Sequence, residues 1–308
     1  MRENTDAAQI ARDDSTVVKS SDSLYLDVRG VRYHIRTWGD PEAPKVFALH
    51  GWMDTSATFQ FLVDALKREW CVIAPDWRGF GLSDWAREFS WHPTYVADLE
   101  VLLRHFQPES PVNLLGHSLG GVVACLYAGI RPERVAKLVT IEGFGITFVP
   151  DPMEDAPRYY ADWISQVVDQ RDIREYDSID AVVQQFQSRN PRLKEEQARF
   201  LVQHWLRPLS SGKLRVATDL SPKLVNAVLL RLDEARTYWR RVTAPVLWVG
   251  GADSNVMRSM HADPAGYESR KRCFSRLEEH IIEDAGHNVH HDQPVRLGSL
   301  IESFFGFR

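Results

Sequence analysis

The chain has 308 residues, of which 44% are hydrophobic and 26% charged, and its formal net charge is −5 at pH 7. Its 10 Trp, 14 Phe and 9 Tyr residues supply ample area for a buried core, which excludes a chain that is disordered throughout. The mildly acidic balance lacks the basic footprint of a nucleic-acid-binding protein, and no run approaches the roughly 18 apolar residues of a membrane-spanning helix. We therefore expect a folded protein with no nucleic-acid partner and no membrane span.

The cysteines and the N-terminal segment indicate a cytoplasmic protein. Cys71, Cys125 and Cys273 lie far apart and form no C-x-x-C pair, so reduced thiols are expected rather than a disulfide framework or a zinc knuckle. Residues 1–22 are mostly polar and lack the apolar run of a secretory signal. We expect a flexible N-terminal extension there.

Strand and helix patterns alternate over the first half of the chain. Residues 24–38 have the pattern of an antiparallel hairpin, broken at Arg29-Gly30. Apolar runs predict buried strands at Val46–Leu49, Cys71–Ala74, Val112–Leu115 and Lys137–Ile141. Helical spacing of apolar residues predicts helices at Phe59–Leu66, Val96–Phe106 and Val122–Ile130. This alternation is typical of an α/β protein with a mostly parallel sheet.

The alternation stops between residues 144 and 236, where no strand is evident and Ala198 to Leu206 has helical spacing. Strand patterns return at Val246–Val249 and Ile281–Ile282, and Leu297–Phe305 predicts a closing amphipathic helix. We therefore expect an α/β core made of residues 23–143 and 237–308, interrupted by a helical cap over residues 144–236.

The segment Leu114-Leu115-Gly116-His117-Ser118-Leu119-Gly120 carries the strongest chemical signal. The G-x-S-x-G pattern is weak by itself, but here an apolar strand precedes it and a helix follows. In that setting the serine lies on a sharp turn with its hydroxyl exposed, and small residues on either side avoid a clash. Ser118 is therefore predicted to be a nucleophile.

A serine nucleophile needs a base, and the base needs an orienting acid. Among 11 histidines, His287 stands out because Asp-Ala-Gly-His places it in a loop directly after the last predicted strand. Asp253, in Gly-Gly-Ala-Asp, also follows a strand end directly. The order Ser118, Asp253, His287 is the one expected for this type of fold.

An oxyanion hole needs two backbone N–H donors. We expect one from Leu119, the residue after the nucleophile, and the other from Trp52, in the loop after the first buried parallel strand. His50 in the same loop is expected to brace it rather than to act as a base.

Together these residues resemble the α/β-hydrolase superfamily from about residue 24 to the end of the chain. The matching motifs are L-H-G-W (49–52), D-x-R-G-x-G-x-S (76–83), G-H-S-L-G-G (116–121), G-G-A-D (250–253) and A-G-H (285–287). Residues 49–59 and 116–124 look like the serine hydrolase-like subgroup. The resemblance implies an eight-stranded sheet and a cap that forms a lid, inserted between the sixth and seventh core strands.

The resemblance also raises an alternative acid and excludes two chemistries. Some relatives place the orienting acid after the sixth strand, where Glu142 stands here, although G-G-A-D is the commoner arrangement and favours Asp253. Relatives that act on haloalkanes or epoxides carry Asp as the nucleophile, so Ser118 argues against both reactions.

We expect a cofactor-free serine hydrolase that cleaves a carboxylic ester, or a related acyl bond, of a small-molecule substrate. Hydrolysis of a carbon–carbon, thioester or lactone bond and perhydrolysis remain open for the same residues. A receptor-like protein with little turnover also remains open.

Phe144 and Trp163 are candidates for the acyl pocket. His287, His290 and His291 read as H-x-x-H-H, but no carboxylate or Cys pattern completes a metal site, so none is expected. Monomer and homodimer both remain open.

Overall fold

One large β-sheet and its flanking helices make up most of the described chain, which in the computed structural model comprises residues 18–85, 90–143, 152–169, 174–218 and 230–306. The strands are β1 (Ser21–Val28), β2 (Val31–Trp38), β3 (Lys45–Leu49), β4 (Cys71–Pro75), β5 (Val112–His117), β6 (Val135–Ile141), β7 (Glu175–Tyr176), β8 (Leu206–Pro208), β9 (Leu214–Val216), β10 (Val246–Gly251) and β11 (Leu277–Ile282). The helices are α1 (Gln60–Ala65), α2 (His92–Phe106), α3 (Leu119–Ile130), α4 (Pro152–Asp169), α5 (Ile179–Arg189), α6 (Glu195–Trp205), α7 (Leu232–Trp239), α8 (Asn255–Ala262), α9 (Pro264–Lys271), α10 (Val289–Asp292) and α11 (Pro294–Phe305).

The large sheet has eight strands in the order β1-β2-β4-β3-β5-β6-β10-β11. β1 pairs antiparallel with β2, and β2 pairs antiparallel with β4. All other neighbours in this sheet are parallel. The prediction of a mostly parallel sheet preceded by a hairpin is confirmed. No helix among the described residues is both long and apolar enough to cross a membrane.

Helices cover both faces of the sheet, so the central strands are buried on both sides. In β3, Phe47 and Leu49 pack into one hydrophobic cluster, and Val46 and Ala48 pack into the other. This alternation is the two-residue period of a strand. One cluster draws on α2, α3, α7, α8 and α9, and the other on α1, α10 and α11. The three cysteines are buried, and none is paired with another.

The segment between β6 and β10 is an insertion with a small core of its own, built around Val182, Ala198 and Val202. The sequence led us to expect a purely helical cap, and that expectation is wrong. β7, β9 and β8 form a three-stranded antiparallel sheet within the insertion. These strands have two or three residues, which is too short for an alternating pattern to show. Gly212, with φ of 81°, lies in the tight turn between β8 and β9 and is the local signal for that hairpin.

The topology brings the loops that carry the predicted chemistry to one edge of the large sheet. β3, β5, β6, β10 and β11 are parallel to one another, so their carboxyl ends meet at that edge, where ligands bind in open α/β sheets. Ser118 and Glu142 directly follow β5 and β6, and His287 lies in the loop after β11.

Candidate active site

Ser118 lies on a strained turn between β5 and α3. Its φ of 51° and ψ of −117° fall outside the regions that a non-glycine residue favours. The turn is held from both sides: the Ser118 amide donates to the carbonyl of Ile141 at 2.9 Å, and the Val122 amide donates to the carbonyl of Ser118 at 3.0 Å. The predicted strand–turn–helix setting is thereby confirmed.

The glycines on either side of Ser118 are required by close backbone contacts. A Cβ at Gly116 would lie 2.4 Å from the carbonyl oxygen of Gly120, and a Cβ at Gly120 would lie 2.1 Å from that of Leu49. Neither neighbour is a flexible side chain, so neither can move aside cheaply. The turn therefore depends on glycine at both positions.

His287 is oriented by Glu142. Nδ1 of His287 lies 3.2 Å from Oε2 of Glu142, and the Glu142 side chain is completely buried. The Gly251 amide donates to Oε1 at 2.7 Å, and the Ser254 hydroxyl donates to Oε2 at 2.5 Å. This carboxylate is fixed by two donors and faces the imidazole, which is the arrangement that holds a catalytic histidine in one tautomer.

Asp253, the acid favoured on sequence, is not brought to His287. Its carboxylate pairs with Arg192 of the insertion, and its side chain is 51% exposed. The residues on either side of Ala252-Asp253 hold Glu142 in place: the Gly251 amide and the Ser254 hydroxyl both donate to its carboxylate. Of the two candidate acids, the structure therefore places Glu142, the alternative, beside His287, and not Asp253. In the sequence, Glu142 could have been recognised from its position directly after β6, together with Ser254 directly after G-G-A-D.

The two predicted oxyanion donors belong to backbone that surrounds Ser118. Leu119 is the first residue of α3, where amides have no partner within the helix. Trp52 follows Gly51, and a Cβ at Gly51 would lie 3.2 Å from Cβ of Ser118. The loop after β3 therefore lies beside the turn that carries Ser118.

His50 braces this loop, as expected. Its Nε2 accepts from the Trp77 amide at 2.9 Å, so Nδ1 carries the proton that it donates to the carbonyl of Gly51 at 2.7 Å. Burial lowers the pKa of His50 to about 4, which keeps the ring neutral near pH 7.

Asp76, the first residue of the D-x-R-G-x-G-x-S motif, ties together three segments at the sheet edge. Its carboxylate accepts from the amides of Ser56 at 2.5 Å and Leu82 at 2.8 Å, and it lies 2.8 Å from Nδ1 of His34. Burial alone would raise the pKa of Asp76, but the hydrogen bond and charge of His34 and the hydrogen bond from the Leu82 amide hold it well below its usual range. The motif therefore acts as a buried anchor for the loops around the site.

A cavity of about 370 Å³ opens beside Ser118 and His287. On the side of the α/β core its walls include Trp52, Met53, Asp54, Ser118 and His287. On the side of the insertion they include Phe186, Arg189, Leu193, Leu201 and Trp205. The Trp205 indole donates to the carbonyl of Met53 at 2.6 Å, which joins the insertion to the loop after β3. As far as the described residues define it, the wall does not include Trp163, which lies on α4; Phe144 lies outside the described residues.

Asp54, His117 and His290 are the one group within the described residues whose side chains could jointly hold a metal ion. Burial raises the pKa of Asp54 to about 6, although hydrogen bonds from the Thr58 hydroxyl and the Thr55 amide act in the opposite direction. Sequence reasoning missed this group because its members come from three separate parts of the chain: the loop after β3, the end of β5 and α10. His287, bound to Glu142, is not a member.

Comparison with known proteins gives a consistent result. A family model described as the alpha/beta hydrolase fold matches residues 44–294. The chain is 27% identical over 277 residues to a serine hydrolase-like protein of Danio rerio, covering 87% of this chain and 83% of that protein. It is 26% identical over 281 residues to Esterase Rv0045c of Mycobacterium tuberculosis, covering 88% and 85%. Among solved structures, a thioesterase domain from the curacin biosynthetic pathway has a TM-score of 0.81 and 22% identity, covering 92% of this chain and 99% of that domain, which bears on the fold alone. The chain therefore belongs to the α/β-hydrolase family, within its serine hydrolase-like subgroup.

Proposed function

We propose that this hydrolase cleaves a carboxylic ester, or a related acyl bond, through an acyl-enzyme formed on Ser118. The observation that carries the proposal is the pairing of His287 with the buried carboxylate of Glu142 at the wall of the cavity that Ser118 also lines. A nucleophile on a strained turn, a base and an oriented acid are the parts that acyl transfer needs. The similarity to an esterase supports an ester as the substrate class.

The reaction proceeds in two halves. His287 removes the proton of Ser118 as the hydroxyl oxygen attacks the carbonyl carbon, and Glu142 stabilises the imidazolium that forms. His287 then returns the proton to the leaving alcohol. His287 then takes a proton from a water molecule as the water oxygen attacks the acyl carbon. It gives this proton to the Ser118 oxygen as the bond between that oxygen and the acyl carbon breaks and the acid is released.

The amides of Leu119 and Trp52 stabilise the tetrahedral oxyanion in both halves. Each donor of this kind contributes about 2.7–4 kcal/mol to lowering the barrier. The closeness of Gly51 to Ser118 supports this role for Trp52, because a Cβ at Gly51 would lie 3.2 Å from Cβ of Ser118, so the backbone of the loop runs beside the serine side chain.

The insertion acts as a lid in this proposal. Its Phe186, Leu193, Leu201 and Trp205 face the cavity, which supplies an apolar surface for an acyl chain. Arg189 lines the cavity as well, so the wall combines an apolar surface with a positive charge. A small acyl substrate fits a cavity of about 370 Å³.

The direct test compares the wild type with Ser118→Ala on p-nitrophenyl acetate and butyrate. We expect Ser118→Ala to lose more than about a thousandfold in kcat, whereas Ser303→Ala, at an exposed position on α11, retains wild-type turnover. A fluorophosphonate probe should label the wild type and Ser303→Ala but not Ser118→Ala. Turnover by folded Ser118→Ala at the wild-type rate, or the absence of labelling in folded wild type, would contradict the proposal.

A further inference from the structure

A cluster of three side chains lies beside the nucleophile turn and takes no part in the acyl transfer described above. Asp54 comes from the loop after β3, His117 from the end of β5, and His290 from α10. One potential ligand atom from each side chain lies within 4.8 Å of those of the other two. His117 and His290 are buried, and Asp54 is half-buried.

The hydrogen bond of His117 determines which of its nitrogens is free. Nε2 lies 3.0 Å from the carbonyl oxygen of His287, and a carbonyl only accepts, so Nε2 carries the proton. The ring is buried, and burial favours its neutral form. Nδ1 therefore has a lone pair, and this buried atom has no hydrogen-bond partner in the described part of the chain.

Thr58 determines the tautomer of His290 in the same way. Its hydroxyl oxygen lies 2.9 Å from Nε2 of His290 and 2.7 Å from Nε2 of His291. The single proton of the hydroxyl goes to Asp54, so the oxygen accepts from both rings. Nδ1 of His290 then also has a lone pair, and it too is buried with no hydrogen-bond partner among the described residues.

We propose that Asp54, His117 and His290 form a binding site for a divalent transition-metal ion, with Zn²⁺ as the best match. Two neutral imidazole lone pairs and a carboxylate are the ligand types that Zn²⁺ takes, and three protein ligands leave a fourth position open. Three atoms that all lie within 4.8 Å of one another have a common point at most about 2.8 Å from each, so each needs to close by no more than about 0.7 Å to reach a Zn–N bond length. Small side-chain rotations supply that movement.

The ion inhibits the hydrolase, an effect that rests on the proposed function. Asp54 and His117 line the same cavity as Ser118 and His287, so the bound ion places positive charge close to the base. His287 must become a cation during acyl transfer, and a nearby cation opposes that step. Turnover should therefore fall as the site fills and recover when a chelator removes the ion.

Binding is tested on tag-free protein that has first been dialysed against a chelator. Titration calorimetry with Zn²⁺ should give one site in the wild type and in Ser118→Ala, so that this measurement does not depend on catalysis. Co²⁺ should produce the intense visible absorption of a four-coordinate site with nitrogen ligands. Wild type that binds neither ion, or Co²⁺ that gives only the weak spectrum of the hydrated ion, overturns the proposal in favour of a buried water at the same place.

Two variants and a control locate the site. Asp54→Asn removes the charged ligand, and His290→Gln removes Nδ1 while keeping an N–H donor for Thr58. Each should weaken Zn²⁺ binding by more than about tenfold, with thermal unfolding used to show that the protein is folded. His105→Ala, at an exposed position at the end of α2, should bind as the wild type does. Equal affinity in all four proteins would place the ion elsewhere and overturn the assignment. Binding at this site without loss of turnover would leave the site standing and remove only its inhibitory effect.

Discussion

The carboxylate of Glu142 lies 3.2 Å from Nδ1 of His287, although 145 residues separate the two in the sequence. Glu142 follows β6, and the entire insertion comes between it and His287. The Gly251 amide, at the end of β10, and the Ser254 hydroxyl, just before α8, complete the support of this carboxylate. The orientation of His287, the proposed base, therefore depends on three separate parts of the sheet edge.

The first prediction distinguishes the two candidate acids. Glu142→Gln should lower kcat for a p-nitrophenyl ester by roughly 10²–10⁴, because an amide does not stabilise the imidazolium and favours the wrong tautomer. Asp253→Asn should change kcat by less than about threefold, because the Asp253 carboxylate pairs with Arg192 at the surface. Kinetics of the two variants, measured beside the wild type, check this directly.

The opposite ranking, with Asp253→Asn the slower enzyme, would restore the acid that the sequence favoured. The unfolding free energy of Asp253→Asn gives a second check. Loss of the pair between half-exposed Arg192 and Asp253 should cost less than about 1 kcal/mol of unfolding free energy.

The site shows what local sequence patterns specify and what they do not. The turn around Ser118 and the loop that carries His287 were predictable, because strand, glycine and helix signals stand next to one another in the chain. The approach of Glu142, and not of Asp253, to His287 was not predictable, because both acids follow strands of the sheet and only the fold determines which side chain turns towards the imidazole. The group of Asp54, His117 and His290 was not recognised either, because only the fold brings these three residues together. The short strands β7 to β9 escaped because two or three residues carry no periodicity.

The second prediction concerns Ser254 as a positioning residue for Glu142. Its hydroxyl donates to Glu142 and also accepts from the amides of Val256 at 2.9 Å and Met257 at 3.2 Å at the start of α8. Ser254→Ala should lower kcat about tenfold, since it leaves the carboxylate with one fewer donor, and should cost about 1 kcal/mol of stability through the lost cap. Ser254→Thr keeps the hydroxyl and should restore both. An unchanged kcat in a destabilised Ser254→Ala protein would limit Ser254 to capping the helix.

The third prediction tests the close approach at Gly120. Gly120→Ala would place Cβ 2.1 Å from the carbonyl oxygen of Leu49 and 2.8 Å from that of His50. Because both are backbone atoms, the strand or the helix must shift, and we expect a loss of at least about 3 kcal/mol of unfolding free energy or failure to fold. Thermal and urea unfolding measure the change.

The matched control is Gly30→Ala, because a Cβ at Gly30 has no atom within 4 Å. The φ of 78° at Gly30 still makes alanine unfavourable there, by about 1–2 kcal/mol. If Gly120→Ala is no more destabilising than Gly30→Ala, the backbone around the nucleophile is more pliant than these contacts indicate.

The fourth prediction concerns Asp76 and the dependence of stability on pH. Its pKa in the folded protein is held well below the usual range, chiefly by the hydrogen bond and charge of His34 acting against the effect of burial. A depressed pKa adds stability that is fully present above the unfolded pKa, about 3.9 for Asp, and is lost as the pH falls towards the folded value. Asp76→Asn should therefore lower the unfolding free energy by about 2–4 kcal/mol at pH 7, and the difference from the wild type should shrink below about pH 4.

Urea unfolding at several pH values measures this difference, with Asp22→Asn, at an exposed position on β1, as the control. A destabilisation by Asp76→Asn that stays the same at every pH would mean that the charge of Asp76 is not what anchors the loops, and that the side chain acts there only through its shape.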